Sequence, residues 1–531
     1  MYSIVKYIFL IQLFSIVSSL YSQPKTSTPW YYRMPGETVA ATGIDSAHKL
    51  LQNIIPEEVV VAVIDAGVDV SHISLTDKLW INKDEVPENG LDDDNNGYSD
   101  DLHGWNFLGN AEGENIRGAP YEYVRIYDTL RHRFDSSANK PSDFPKDPYF
   151  DLYQEVSEKY KKAIAKKRQR LKYYNLIIES YRKADEILKD HFGNSDYNIH
   201  HILELQPERP EVKWASDFYK KLHQRDINKS LIESRVRVIQ AEIETKLNAG
   251  YNPRKLIGDN PANMEKVIYG NNDYRGGTAS HGTAVAGIIG ASQVDGRGIQ
   301  GIAPHVRIMV LRAVPGGDEW DKDIALAIRY AVDNGADIIN GSFGKMYSPQ
   351  KNMVDSAIRY AEQNGVLLVV GAGNDGKNND IRPNYPSPYY NNGERATNLI
   401  TTGACTNDSL HHLAASFSNY GKESVDLFAP GVDIPALNTN NRFRTISGTS
   451  AAAPVVTGIA AMIKTYYPSI QPHNLRKILI ESVTDYSQVN VFVPGSDNVS
   501  LPFKRLCKSS GVINAVEAVK LTKKLYRQNK L

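Results

Sequence analysis

Two patterns of apolar residues alternate along the chain and predict alternating strands and helices. Short runs rich in β-branched residues are typical of buried parallel strands, and they cover residues 59–64, 306–311, 336–340, 366–370 and 399–403. Apolar residues at helical spacing lie between them, over residues 281–291, 323–334 and 354–364. Gly335 and Gly365 follow the last two helices as stop signals. The pattern predicts an α/β fold, a three-layer sandwich with helices on both faces of a mostly parallel sheet.

Residues 111–257 have a different pattern, with apolar stripes inside heavily charged sequence. The stripes have helical spacing and cover residues 171–188, 214–222 and 232–247. Ser230 and Glu233 match a capping box before the last stripe. We therefore predict an α-helical insertion at 111–257, a hairpin or small bundle that divides the α/β domain into residues 23–110 and 258–525.

The first 22 residues resemble an export signal. Lys6 precedes an apolar run over residues 7–17, and small serines follow before a polar stretch. The run is too short to span a bilayer comfortably, which favours a cleaved signal peptide over the alternative of an N-terminal anchor. No later segment is apolar and long enough to cross a membrane. We expect an exported protein in the periplasm, at the cell surface or in the medium, without stable membrane insertion after cleavage.

The charge balance argues against nucleic acid as a partner. The chain has 61 basic and 61 acidic residues, so it offers no broad attraction to a polyanion. A basic run at residues 161–172 is flanked by acidic residues, and a solvated helix face is the favoured interpretation. The two cysteines, Cys405 and Cys507, could form a disulfide after export or could each be a small buried apolar residue.

Four segments carry residues with catalytic chemistry. Asp65 ends a predicted buried strand, and His281 begins a predicted helix of small residues. Ser450 begins an apolar helix after Ser-Gly-Thr, where its own backbone N–H is free to bind an anion. Asn374 follows a strand within a glycine-rich segment and could present its amide to a developing negative charge. Each residue alone has an ordinary structural interpretation as a cap or a turn residue.

Together the four segments resemble the subtilase family of serine proteases. The resemblance rests on the chain order Asp65, His281, Ser450. It also rests on Gly373-Asn374, which lies between the histidine and the serine, and on Gly-Thr-Ser before the last helix. It covers residues 40–108 and 258–516. It implies a secreted serine endopeptidase that cleaves proteins or peptides through a Ser-His-Asp triad and an acyl-enzyme, with no cofactor for catalysis. Asn374 and the Ser450 N–H would hold the oxyanion.

The same resemblance implies a set of substrate-binding residues. Two short segments would line the first specificity pocket on facing sides, and an asparagine would lie at its base. These residues are Ser342, Phe343, Gly344, Gly371, Ala372, Gly373 and Asn384.

An acidic loop before the second part of the domain predicts a structural calcium site. Its alternating oxygen-bearing residues, with Gly97 at the turn, match most of a calcium-loop pattern. The predicted ligands are Asp92, Asp94, Asn96, Tyr98 and Asp100. His103 stands where the pattern has its closing glutamate. The alternative is an acidic turn held by bonds between side chains and backbone.

Other functions remain open from sequence. A binding protein on a subtilase scaffold would use the insertion to hold a protein partner, and a transpeptidase or cyclase would share the acyl-enzyme. The insertion could also restrain access to the cleft, although a passive elaboration or a docking surface is favoured.

Overall fold

The computed structural model describes residues 29–135, 147–193, 197–266, 268–277 and 279–531. The predicted signal peptide at 1–22 lies outside these residues. The chain divides into two compact units. The first comprises Met1–Arg117 and Pro253–Leu531, and the second comprises Gly118–Asn252.

The strands, in chain order, are β1 (Val59–Asp65), β2 (Gly104–Asn106), β3 (Val306–Arg312), β4 (Ile338–Gly341), β5 (Leu367–Gly371), β6 (Leu399–Cys405), β7 (Leu427–Pro430), β8 (Ile434–Asn438), β9 (Arg442–Ile446), β10 (Thr484–Asp485), β11 (Asn490–Phe492), β12 (Ser500–Pro502) and β13 (Gly511–Val512).

The α-helices, in chain order, are α1 (Ile44–Leu51), α2 (Glu122–Phe134), α3 (Phe150–Phe192), α4 (Ile199–Glu204), α5 (Pro210–His223), α6 (Lys229–Glu244), α7 (Ser280–Gly290), α8 (Asp321–Asp333), α9 (Lys351–Gln363), α10 (Thr449–Tyr466), α11 (Pro472–Glu481) and α12 (Ala515–Arg527).

A mostly parallel sheet forms the centre of the first unit. Within the described residues it has nine strands in the order β10-β13-β7-β6-β5-β4-β1-β3-β2. Strand β1 lies between β3 and β4, with Val61 opposite Ile308 on one side and Ile338 on the other. Only the edge pair β10 and β13 is antiparallel among these strands. The carboxyl ends of parallel strands meet at one edge, where α/β proteins place their sites.

Both faces of this sheet are buried. Val59, Val61 and Val63 belong to a core cluster shared with α7 and α10. The intervening Ala62 and Ile64 are equally buried and point to the opposite face, because side chains alternate along a strand. Helix α8 packs against β1 and β3, and α9 packs against α8 and β5. The predicted α/β fold with helices on a mostly parallel sheet is confirmed.

The second unit is helical and contains α2 to α6. The three predicted stripes lie on α3, α5 and α6, where Tyr174 and Tyr181 pack with Ile232 and Val236. The predicted capping box is wrong. Helix α6 is capped by Asn228, whose side chain accepts a hydrogen bond from the Leu231 N–H at 2.9 Å, so the helix begins before Ser230.

The limits of the second unit differ from the predicted insertion at 111–257. Ile116, Arg254 and Ile257 are buried within the first unit, although they lie in the charged sequence that surrounds the helical stripes. The sequence composition changes gradually near both ends of the insertion, so it does not mark the limits sharply. The contacts within the structure divide the two units at Arg117 and Pro253.

Cys405 and Cys507 are both buried and unbridged, as small apolar residues would be. Among the helices that the structure describes, none combines the length and the apolar character that a membrane span requires.

Candidate active site

Asp65 and His281 lie in hydrogen-bonding contact at the carboxyl edge of the sheet. Asp65 ends β1 and is 2% exposed, and one of its carboxylate oxygens accepts the N–H of Ala66 at 2.7 Å. His281 follows the first residue of α7, and its Nδ1 lies 2.8 and 2.9 Å from the two oxygens of Asp65. A side chain at Gly282 would collide with the backbone of Gly67, so glycine lets the helix approach this closely.

The contact changes the acidity of the imidazole. The negative charge of Asp65 raises the pKa of His281, and this effect outweighs the burial that lowers it. The positive charge of Arg444 also lowers the pKa, but by less. The side chain of His281 is 43% exposed, so part of the imidazole faces solvent.

Ser450 occupies the first turn of α10, which packs against α7. Its hydroxyl donates to the carbonyl oxygen of Ser342 at 3.3 Å, and the Ser342 hydroxyl donates to the carbonyl of Ser450 at 3.1 Å. Among the described side chains, the Ser450 hydroxyl makes no hydrogen bond to His281. Hydrogen bonds between a catalytic nucleophile and its base are often long or poorly aligned before substrate binds.

Asn374 is oriented by Thr449. The side-chain oxygen of Asn374 accepts the backbone N–H of Thr449 at 2.8 Å and the Thr449 hydroxyl at 3.1 Å. Because the oxygen is held there, the amide nitrogen of Asn374 points the other way. A Cβ placed on Gly448 would lie 3.6 Å from both that nitrogen and the backbone nitrogen of Ser450. Two N–H donors therefore border the same space, as an oxyanion site requires.

The predicted pocket residues lie on adjoining segments at the same edge. Ser342, Phe343 and Gly344 follow β4, and Gly371 ends β5 with Ala372 and Gly373 after it. Side chains at Gly344 or Gly373 would collide with neighbouring side chains, among them Asn384 in the first case and Asn419 in the second. Asn384 also lies 3.3 Å from the Cβ position of Gly373, so it joins the two segments.

The acidic loop brings two of the predicted ligands, Asp92 and Asp94, close to Glu85, which was not predicted. One carboxylate oxygen each from Glu85, Asp92 and Asp94 lies within 4.8 Å of the others. Asp92 also accepts the N–H groups of Asn96 and Gly97 at 3.0 and 2.8 Å, which is the turn geometry of the alternative interpretation. Burial raises the pKa of Glu85 despite the backbone N–H groups that donate to it.

Three predicted ligands have other contacts. The carboxylate of Asp100 accepts the backbone N–H groups of Asn89 and Gly90 at 3.1 and 2.8 Å. The Tyr98 ring packs against Trp105 with 5.1 Å between ring centroids. The Asn96 amide donates to Asp94 at 2.9 Å, and its oxygen accepts the N–H of Tyr98 at 2.8 Å.

Sequence reasoning missed Thr449 and Glu85. Thr449 lies inside the Gly-Thr-Ser motif, so its position beside Ser450 was a usable signal. Glu85 lies outside the loop pattern, and no local spacing links it to Asp92.

Comparisons with known proteins identify the family to which this chain belongs. The chain matches the sequence profile of Peptidase S8, the subtilase family, over residues 185–499, which is more than half of its length. The chain belongs to the subtilase family. The matched segment contains His281, Asn374 and Ser450, whereas Asp65 precedes it.

Several subtilase relatives match part of the chain. It is 42% identical to the thermophilic serine proteinase of Bacillus sp. (strain AK1) over 35% of this chain and 42% of the relative. It is 34% identical to the minor extracellular protease Epr of Bacillus subtilis (strain 168) over 39% of this chain and 30% of the relative. It is also 34% identical to the major intracellular serine protease of the same organism, over 40% of this chain and 61% of the relative. The matches thus span 30% to 61% of these subtilase relatives.

Proposed function

We propose that this chain is a secreted serine endopeptidase that hydrolyses proteins or peptides. The observation that carries the proposal is the contact between His281 Nδ1 and Asp65, at 2.8 and 2.9 Å, at the sheet edge where α10 presents Ser450. The membership in the subtilase family supports the same reaction.

The reaction would begin with Ser450, because a serine hydroxyl is a poor nucleophile until a base removes its proton. The Oγ of Ser450 attacks the peptide carbonyl while Nε2 of His281 takes the proton. Asp65 holds the imidazole by its Nδ1–H and stabilises the cation that forms. His281 then gives the proton to the leaving amine as the C–N bond breaks, which leaves an acyl ester on Ser450. Water hydrolyses this ester by the same proton transfers in reverse order.

The negative charge that develops on the carbonyl oxygen would be held by Asn374 and by the N–H of Ser450. Both donors are oriented before substrate arrives, Asn374 by its two bonds to Thr449. Preoriented donors in such a site stabilise the transition state more than the ground state. The segments around Gly344 and Gly373 would line the pocket for the residue before the scissile bond, with Asn384 at its base.

Covalent labelling of the nucleophile tests the proposal. A fluorophosphonate probe should label the wild-type protein and should fail to label Ser450→Ala. Ser500→Ala is the matched control, because Ser500 is an exposed serine on β12 and should leave labelling unchanged. Equal labelling of Ser450→Ala and the wild type would refute the assignment of the nucleophile, and absence of cleavage of any protein or peptide would refute the function.

Export rests on the N-terminal pattern. The names of the relatives include both an extracellular and an intracellular protease, so they do not decide the compartment for this chain. Detection of the protein without residues 1–22 outside the cytoplasm would support export.

We also propose a structural calcium ion at the acidic loop, which the family resemblance implies. The donor set fits, since calcium prefers carboxylate and carbonyl oxygens and Glu85, Asp92 and Asp94 supply three carboxylates close together. The ion would stabilise the loop and take no part in the reaction.

A further inference from the structure

The antiparallel hairpin of β8 and β9 borders the candidate active site. It pairs Ala436 with Arg444 and Asn438 with Arg442. Strand β8 packs against α7, and the hydroxyl of Ser280 at the start of that helix donates to the side chain of Asn438 at 2.7 Å. The hairpin is thus attached beside the residue that precedes His281.

Arg442 and Arg444 share one face of the hairpin, because side chains two residues apart on a strand point the same way. The intervening Phe443 packs edge-on against His72, with 6.2 Å between ring centroids. Arg442 and Arg444 are both exposed, so the face opposite Phe443 presents two guanidinium groups to solvent.

Arg444 reaches the start of α7. Its guanidinium donates to the Ser280 hydroxyl at 2.7 Å, one residue before His281. Its charge is close enough to act on the imidazole of His281, whose pKa it lowers. His281 is the group that gives a proton to the leaving amine, so the part of a substrate that follows the scissile bond would lie on this side of the cleft.

The buried carboxylate of Asp69 lies at the turn between β8 and β9. Arg275 lies 3.6 Å from the buried carboxylate of Asp69, which also accepts the N–H of Asn440 at 2.7 Å. Asp69 therefore already has partners other than Arg442 and Arg444. Over the part of the chain that the structure describes, neither Arg442 nor Arg444 has a carboxylate within ion-pair distance.

We propose that Arg442 and Arg444 select substrates with an acidic residue in the first two positions after the scissile bond. The proposal rests on the proposed endopeptidase function and adds the chemistry of the preferred substrate. A carboxylate there would gain two arginine donors, and arginine binds carboxylates through a planar set of N–H groups. An exposed ion pair between a substrate carboxylate and these arginines supports a preference of about 2- to 5-fold in kcat/KM.

The test uses quenched fluorescent peptides that differ only at these two positions, with glutamate, glutamine or lysine at each. For the wild type, kcat/KM should be about 2- to 5-fold higher with glutamate than with glutamine. The ratio should fall toward one in Arg442→Gln/Arg444→Gln, and Arg444→Glu should shift the preference toward lysine. The wild-type ratio should also fall as ionic strength rises, since salt screens exposed charges.

Arg527→Gln is the matched control, because it removes an exposed arginine from α12 and should keep the wild-type ratio. Fluorophosphonate labelling checks that each variant retains a working nucleophile. A wild-type ratio of one, or an unchanged ratio in the double variant, would overturn the substrate preference while cleavage of the glutamine peptide upholds the protease. A wild type that cleaves none of the peptides would overturn the protease assignment and the preference together.

Discussion

At the scale of single residues, the contact between Asp65 and His281 determines the pH range of the proposed reaction. His281 must be neutral to accept the Ser450 proton. Asp65 stabilises the protonated imidazole, so its charge raises the pKa of His281. A raised pKa keeps the base protonated over more of the acidic range, so activity is lost as pH falls through this pKa. The negative charge of Asp65 that stabilises the imidazolium during the reaction therefore also raises the pH below which activity is lost.

We predict that Asp65→Asn moves the acidic limb of the kcat/KM profile to lower pH and lowers kcat by about 10⁴-fold. The limb moves because the charge that raises the pKa is gone, while burial still lowers it. The rate falls because asparagine cannot hold the required tautomer or stabilise the imidazolium. A pH series of peptide hydrolysis measures both effects. An acidic limb that stays in place would show that the titrating group is not His281.

At the scale of helices and strands, the sequence predicts the parts of the site that depend on local pattern. Asp65, His281 and Ser450 each lie at the end of a strand or the start of a helix, and those boundaries shift by at most a few residues between prediction and structure. The hairpin of β8 and β9 was missed, because β9 reads Arg-Phe-Arg-Thr-Ile and lacks a buried run. Glu85 was missed because its contact with Asp92 depends on how the loop folds back.

The acidic loop gives a prediction that tests whether Glu85 or Asp100 joins Asp92 and Asp94 in the proposed calcium site. Thermal midpoints of a Ser450→Ala protein should be higher with calcium than with a chelator, because binding to the folded state adds about 2.7 kcal/mol at 100 times Kd. Glu85→Gln should reduce this difference, since it removes one of the three clustered carboxylates. Asp100→Asn is the control and should keep the difference, because the Asp100 carboxylate lies outside the cluster that Glu85, Asp92 and Asp94 form. Identical midpoints with and without calcium for the parent protein would count against the ion.

At the scale of the whole molecule, the two units have separate cores, and the segment that follows the insertion belongs to the first unit. Arg254 is 3% exposed and bonds both oxygens of Asp323, at 2.8 and 2.7 Å, and also the side chain of Asp259. Lys322 completes the group with a bond to Asp259 at 2.6 Å. Removing one partner from a buried charged group leaves the others unpaired, which costs about 3–5 kcal/mol. The exact limits of an excision therefore decide whether the first unit stays stable.

We predict that replacing residues 118–252 with a short flexible linker leaves a folded protein, whereas replacing 111–257 does not preserve its stability. The linker can be short, because the segments that flank the excision contact each other, with the side chain of Asn110 donating to the carbonyl of Leu256 at 3.2 Å. The longer excision removes Arg254, which leaves the buried carboxylate of Asp323 without its cationic partner and leaves Asp259 with Lys322 alone. Denaturant unfolding in the Ser450→Ala background should show a loss of at least about 3 kcal/mol for the longer excision relative to the shorter one.

Arg254→Met within the shorter excision should reproduce most of that loss, which would assign it to the buried charges rather than to the length removed. Equal midpoints for the two excisions would contradict the role of Arg254.

The shorter excision with Ser450 intact also tests the insertion itself, using a small peptide substrate. Higher turnover would indicate that the insertion restrains access to the cleft, because removing a restraint must raise the rate. Unchanged or lower turnover in a folded product would instead favour a passive elaboration or a docking surface.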